Sequence, residues 1–428
     1  MYCGSCMRDN TLVTALQALG HDAILIPTFT PIRTDEIDVS DGKVFYGGIN
    51  VFLQQKSWLF RKAPRFVDWL LNRPALLRLA TRRAVNTSYE NLADLTLSML
   101  RGTHGLQAKE LEKLVEWLHD EAKPDVVMLT NVLLSGLVPQ LKRSLKVPVI
   151  ATLQGDDVFL DALPAESRKL CLDAIRTNDR DIDGYIATSR DYAGYIAPYL
   201  GIDRSKIEVV YPGLNLTGHG GVRLVRPESP PTIGYFARIC PEKGLHALVH
   251  AFIHLRKRPN TPKVKLKVAG WLGDHQQAYL DEQIQKLAGA GLIEDFERVD
   301  CPTHADKVRF LQSVDVLSVP AAFREPKGLY VLEAWANGVP VVQPKHASFT
   351  ELIDATGGGL LTPSHDPDQL ADALLKILSD TELRDSLGHA GWKGLHERFT
   401  AHTMAEETVA VLAKHVSNSA RSLPASVS

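Results

Sequence analysis

Cysteine is scarce in this chain: five among 428 residues, an odd number. So few thiols fit a reducing compartment and free cysteines, and they exclude a disulfide framework. The one close pair, Cys3 and Cys6, forms a C-x-x-C with no second such pair to complete a zinc site. Long hydrophobic runs are missing too. No stretch of about twenty apolar residues is present, so no transmembrane helix is expected. The first residues carry no secretory pattern, and a cytoplasmic location is expected. Net charge is only -2, which gives no global footprint for nucleic acid. What remains is ordinary for an α/β protein: 45% hydrophobic, 23% charged, and long enough for two domains.

One stretch organises the rest, Phe323 to Val342 (FREPKGLYVLEAWANGVPVV). It follows an apolar run, Asp315 to Pro320, that reads as a buried strand. Leu329 to Ala336 reads as a helix, stopped by Gly338-Val339-Pro340 before a strand at Val341-Val342. Glu325 then sits in the loop after a strand, and Glu333 two turns on, near the same helix face. Free N–H groups at a helix start suit a phosphate. Carboxylates beside them suit sugar hydroxyls. Two glutamates at this spacing are weak evidence alone, because solvated helices often carry them.

The flanks are more specific. Glu325-Pro326-Lys327-Gly328-Leu329, then Leu332-Glu333-Ala334, then Gly338 to Val342 resemble the signature of family-four retaining glycosyltransferases of the GT-B fold. The resemblance implies an α/β protein of two Rossmann-like, doubly wound domains facing a cleft. It implies sugar transfer from a nucleoside diphosphate sugar to a saccharide or lipid-linked hydroxyl acceptor, in glycan, glycolipid or cell-envelope polysaccharide synthesis. Glu325 would face the transferred sugar as the catalytic residue, and Glu333 would hold the ribose. Lys327 departs from the family, where many members carry an aromatic. The segment Thr232 to Gly244 resembles the family's Gly-Arg-x5-Lys-Gly pattern, with Ala237 replacing the glycine. Arg238 and Lys243 would grip the diphosphate with the helix start at Gly328 and Leu329. No cofactor and no metal are expected. The Asp-x-Asp triplets, Asp179 to Asp181 and Asp181 to Asp183, read as a helix end. The family mechanism is a front-face displacement in which the departing phosphate helps deprotonate the acceptor. An epimerase or a non-catalytic sugar-nucleotide binder on the same fold remains an alternative.

Taken in order, the chain begins with MYCGSCMRDN, in which Asp9 or Asn10 can cap a helix ending at Gly20. A strand follows at Ala23 to Phe29. Family members carry a strand and glycine loop before this helix, so Met1 is expected to be an internal methionine. Gly4 would supply the close approach of a tight phosphate or acceptor loop. Lys56 to Arg83 is basic and aromatic and suits an anionic membrane surface, giving possible peripheral contact through 56–83; the rival is a helical insertion over the first domain. Gln154, where many relatives carry histidine, and Asp156 and Asp157 end a strand at the carboxyl edge of the sheet. Either aspartate reads equally as an acceptor contact or a helix cap. The first domain is expected over 1–215 and the nucleotide-sugar domain over 216–399. Final helices at about 400–416 would pack back on the first domain, and 417–428 would be a disordered tail.

Overall fold

The structure, a computed structural model, describes residues 4–28, 34–41, 45–46, 89–220, 230–259, 261–364 and 366–422. It divides into two compact units. The larger takes the described residues of 1–11, 34–37 and 211–404, and the smaller those of 12–33, 38–210 and 405–428. The segment 56–83, Cys3 and the end of the tail lie outside the described residues.

The smaller unit holds a parallel sheet of β1 (Val127–Leu129), β2 (Val149–Leu153), β3 (Gly184–Ala187) and β4 (Ile207–Val209), in that order. All five residues of β2 are buried, as a central parallel strand covered on both faces requires. Ser189 follows β3 and caps the helix Arg190–Leu200 by accepting the Tyr192 N–H at 3.2 Å. The last helix, Ala401–Ser422, contributes Lys414, paired with Glu208 at 2.9 Å.

Three expectations are corrected here. Of the strand expected at Ala23 to Phe29, the described residues 23–28 show one parallel bridge, Leu25 with Ser40. Ile24 is 45% exposed, so this segment is not covered on both faces. The first helix starts at Gly4, not at a cap on Asp9 or Asn10. Gly4 and Cys6 are helical, because Asn10 and Thr11 find partners in the helix interior: Asn10 donates to the Ile37 carbonyl at 2.9 Å, and Thr11 to Met7 and Glu36. The tail is helical through Ser422, since no proline or glycine interrupts that segment.

The larger unit holds six parallel strands in the order β10-β9-β8-β5-β6-β7. They are β5 (Thr232–Phe236), β6 (Lys265–Ala269), β7 (Phe296–Val299), β8 (Val316–Leu317), β9 (Val341–Pro344) and β10 (Gly359–Thr362). The chain runs outward from β5 to β7, then returns to the other side of β5 at β8. That reversal opens a crevice at the carboxyl ends of β5 and β8, the point where open α/β sheets take ligands. Trp335 anchors the core beneath it, fully buried, with its indole N–H on the Gly358 carbonyl at 2.8 Å. The boundary falls before Tyr211, not after Asn215. Leu214 bonds Phe399 at 2.8 Å and Ala401 bonds back to Leu214 at 2.9 Å, which ties this segment to the larger unit.

Candidate functional site

Two loops meet at the switch point. The first follows β5 and carries Arg238, a short turn Pro241–Lys243, and Gly244 ahead of the helix Leu245–Lys257. Gly244 has φ +74, and an added Cβ would collide with the Pro320 carbonyl. Only glycine lets this loop come so close to the one after β8. Ala322 N–H then donates to the Glu242 carbonyl at 2.9 Å, locking the two loops together.

This approach brings Lys243 onto Glu325, 82 residues away, in a direct ion pair. Glu325 is 4% exposed. It also accepts the backbone N–H groups of Lys327 at 3.3 Å and Gly328 at 3.4 Å and the Tyr330 hydroxyl at 3.3 Å. Gly328, at φ +65, caps the helix Leu329–Ala336, so Glu325 sits against that helix start and takes part of its donor set. The Lys243 ammonium lies 4.7 Å from the Phe323 ring centre and 5.1 Å from that of Tyr330. Burial pushes the Glu325 carboxyl up. Lys243 and Lys327 with the hydrogen bonds outweigh burial and hold it down to about 2. Lys327 is itself buried and reaches the Ser5 hydroxyl at 3.3 Å. A Cβ on Gly4 would lie 3.6 Å from Lys327 Cε and 3.8 Å from Leu329. The start of the first helix therefore abuts the glutamate loop. Arg238 is exposed in the same loop as Lys243.

Glu333 is buried one turn into the helix interior and engages a lysine the sequence reading missed. Lys307 Nζ lies 2.8 Å from Glu333 and 2.5 Å from Asp35. Lys307 comes from the helix His304–Gln312, whose start is fixed by a Thr303–Asp306 capping box. Burial pushes the Glu333 carboxyl up, and Lys307 opposes that push without cancelling it, so the carboxyl stays above its ordinary value. Burial alone would lower Lys307, but Glu333 and Asp35 raise it above its usual value, so the ammonium stays charged. A periodicity signal for Lys307 existed: it shares the buried face with Val308, Phe310 and Leu311. Asp35, within RTDEID, gave none.

Gln154, Asp156 and Asp157 belong to the smaller unit, at the carboxyl end of β2. Gln154 donates to the Thr130 carbonyl at 2.8 Å. Asp156 accepts the N–H groups of Val132 and Gln154, both at 3.0 Å, joining the loops after β1 and β2. Asp157 accepts from the Tyr192 hydroxyl at 2.6 Å, and that hydroxyl accepts from the N–H groups of Gly155 and Asp156. Neither side chain caps the helix Asp156–Asp161, whose N-cap is Gly155. Asp179 takes the Tyr185 hydroxyl and Lys206, which gives it a structural use. Among the described residues no group of three His, Cys, Asp or Glu side chains is placed to hold a metal ion.

Residues 222–393 match the family described as glycosyl transferases group 1, and 95–217 match glycosyltransferase family 4. Curated relatives include D-inositol 3-phosphate glycosyltransferases. That of Corynebacterium efficiens is 25% identical over 60% of this chain and 63% of its own length; that of Nocardia farcinica is 27% identical over 61% and 60%. The chain thus spans about three-fifths of these relatives' length. Among solved structures, Anabaena HepE in complex with UDP has a TM-score of 0.62 at 19% identity, over 73% of this chain and 84% of that one. A sucrose-phosphate synthase from Thermosynechococcus elongatus has a TM-score of 0.60 at 20% identity, over 72% and 79%. These likenesses give two parallel-sheet units of the GT-B type. With both halves of the sequence matched in this way, the chain belongs to the group 1, family-four glycosyltransferases.

Proposed function

We propose that this protein transfers a sugar, with retention of configuration, from a nucleoside diphosphate sugar to a hydroxyl acceptor. The observation that carries the reading is the buried Lys243–Glu325 pair at the switch point, set against a helix start. Charge on the departing diphosphate falls to Lys243, Arg238 and the N–H groups at Gly328 and Leu329, without an obligatory metal. Glu325 positions the sugar and Glu333 the ribose. The bond from the anomeric carbon to the diphosphate oxygen breaks while a bond to the acceptor oxygen forms on the same face. The acceptor proton passes to the departing phosphate oxygen. No enzyme nucleophile is required.

HepE solved with UDP and with UDP-glucose supports uridine nucleotides as the first donors to test. On this reading Gly4, Gln154, Asp156 and Asp157 serve the phosphate or acceptor side. The acceptor is a saccharide or a lipid-linked molecule of cell-envelope synthesis. The enzyme works in the cytoplasm, in peripheral contact with anionic membrane through 56–83. The test is product analysis by mass spectrometry after incubation with UDP-, GDP- and ADP-sugars and a panel of polyol, saccharide and lipid acceptors. A glycosylated acceptor with release of nucleoside diphosphate is expected. Epimerised donor with no acceptor product, or donor bound and recovered unchanged, would overturn the proposal.

A further inference from the structure

We infer that Lys307 is a positioning residue for nucleotide binding: held between Asp35 and Glu333, it keeps Glu333 a carboxylate and fixes its orientation toward the ribose. The inference rests on the proposed role of Glu333 as ribose anchor.

All three side chains are nearly sealed from solvent, at 6% exposure for Lys307, 7% for Glu333 and 11% for Asp35. Lys307 bonds only one oxygen of Glu333, Oε1. The other, Oε2, has no partner among the described residues. One oxygen is therefore spent on orientation and one is left to accept hydroxyl donors. A buried carboxyl lacking a cation takes up a proton instead of carrying an isolated charge. A neutral acid offers a ribose weaker acceptance than a charged carboxylate does. Lys307 thus decides the state in which Glu333 meets its ligand. Asp35 is the second counter-charge, anchoring the ammonium independently of whatever Glu333 binds.

Other titratable groups surround the triad. Glu36 neighbours Asp35 and accepts from Thr11 at 3.1 Å. His304 Nδ1 lies 3.7 Å from Asp35, and its ring meets His219 edge-on at 4.9 Å between centres. His219 contacts Asn337 at 2.9 Å, and burial with the adjacent Lys307 holds it neutral, down to about 3. Lys307 acts on His219 and Glu36 as well as on Glu333, so Lys307→Arg, which keeps the charge beside all three, is the control for their titration.

The test is the dissociation constant of uridine diphosphate by calorimetry from pH 5.5 to 8.5. Wild type is compared with Lys307→Met, Lys307→Arg and the double variant Lys307→Met/Asp35→Asn. The double variant buries one carboxylate instead of two and keeps the test open should the single one fail to fold. Without Lys307, the Kd ratio to wild type should grow about tenfold per pH unit below the raised Glu333 value, while Lys307→Arg stays flat. A ratio independent of pH in the Lys307→Met proteins would overturn the inference. Failure of the underlying reading looks different: Glu333→Gln would bind uridine diphosphate as tightly as wild type.

Discussion

Removing Lys243 should damage stability as well as ligand binding, and this separates it from Arg238 in the same loop. In Lys243→Met the Glu325 carboxylate stays buried at 4% exposure but loses its direct cation. Breaking a buried pair from one side costs about 3–5 kcal/mol. Glu325 keeps Lys327, two backbone N–H groups and the Tyr330 hydroxyl, so the lower end, about 3 kcal/mol, applies. With a urea slope of about 3 kcal/mol per molar, the midpoint falls by about 1 M. Exposed Arg238 has no such burial, and Arg238→Ala should stay within about 0.5 kcal/mol of wild type. Both variants should lose donor affinity, by about 1.5–3 kcal/mol for a charged hydrogen bond to phosphate. The sign of the pH dependence is fixed. Wild-type Glu325 is depressed, so its contribution is full above the ordinary value of 4.5 and is lost as pH falls toward about 2. In the variant, burial acts without Lys243 and the carboxyl protonates at higher pH, so the deficit should narrow as pH drops. Urea unfolding at pH 7 and pH 4 reads both effects. Equal stability of Lys243→Met and wild type at pH 7 would refute the reasoning.

Tyr192→Phe should destabilise the smaller unit by about 1–3 kcal/mol, because Asp157 loses its donor and two backbone N–H groups lose their acceptor; denaturant unfolding monitored by circular dichroism checks it. Gly391→Ala should cost about 1–3 kcal/mol by overpacking, since an added Cβ would overlap the Trp335 ring. Its readout is a fall in melting temperature with a disturbed tryptophan fluorescence spectrum. Turnover should survive EDTA if, as proposed, Arg238, Lys243 and the helix start at Gly328 meet the phosphate charge; loss of turnover restored by magnesium or manganese would argue for a metal.

Much of the larger unit was legible because its signals are local. The helix Leu329–Ala336 is a run of good formers between Gly328 and the Gly338-Val339-Pro340 stop, and it is found over those residues. The strands β6, β9 and β10 follow short apolar runs bounded by glycine or proline. What escaped the sequence depends on chain segments far apart. Nothing local to Lys243 or Glu325 announces their pairing, which needs the loop approach that Gly244 permits. Lys243 accordingly read as a free phosphate ligand, when in this structure it also neutralises the catalytic candidate. Asp35 reaches Lys307 from 272 residues upstream. The segment at Ala23 to Phe29 failed for the opposite reason: its apolar content reads as strand, but a strand also needs a continuous ladder with a neighbour, and among the described residues it forms a single bridge, Leu25 with Ser40. The tail read as disordered from composition, yet its serines and alanines continue a helix already nucleated at Ala401.

Steady-state kinetics of Glu325→Gln and Glu333→Gln test most directly whether the two glutamates do different work. Both changes keep volume and remove charge. Glu325, in the loop beside Lys243, should hold the transferred sugar where geometry and charge change during reaction, so its variant should lose kcat by about 100-fold or more. Glu333, on the helix beside Lys307, should hold the ribose similarly in ground and transition states. Its variant should raise the donor KM by about tenfold or more with kcat nearly intact. Intact kcat in Glu325→Gln, or abolished turnover with unchanged donor affinity in Glu333→Gln, would contradict it.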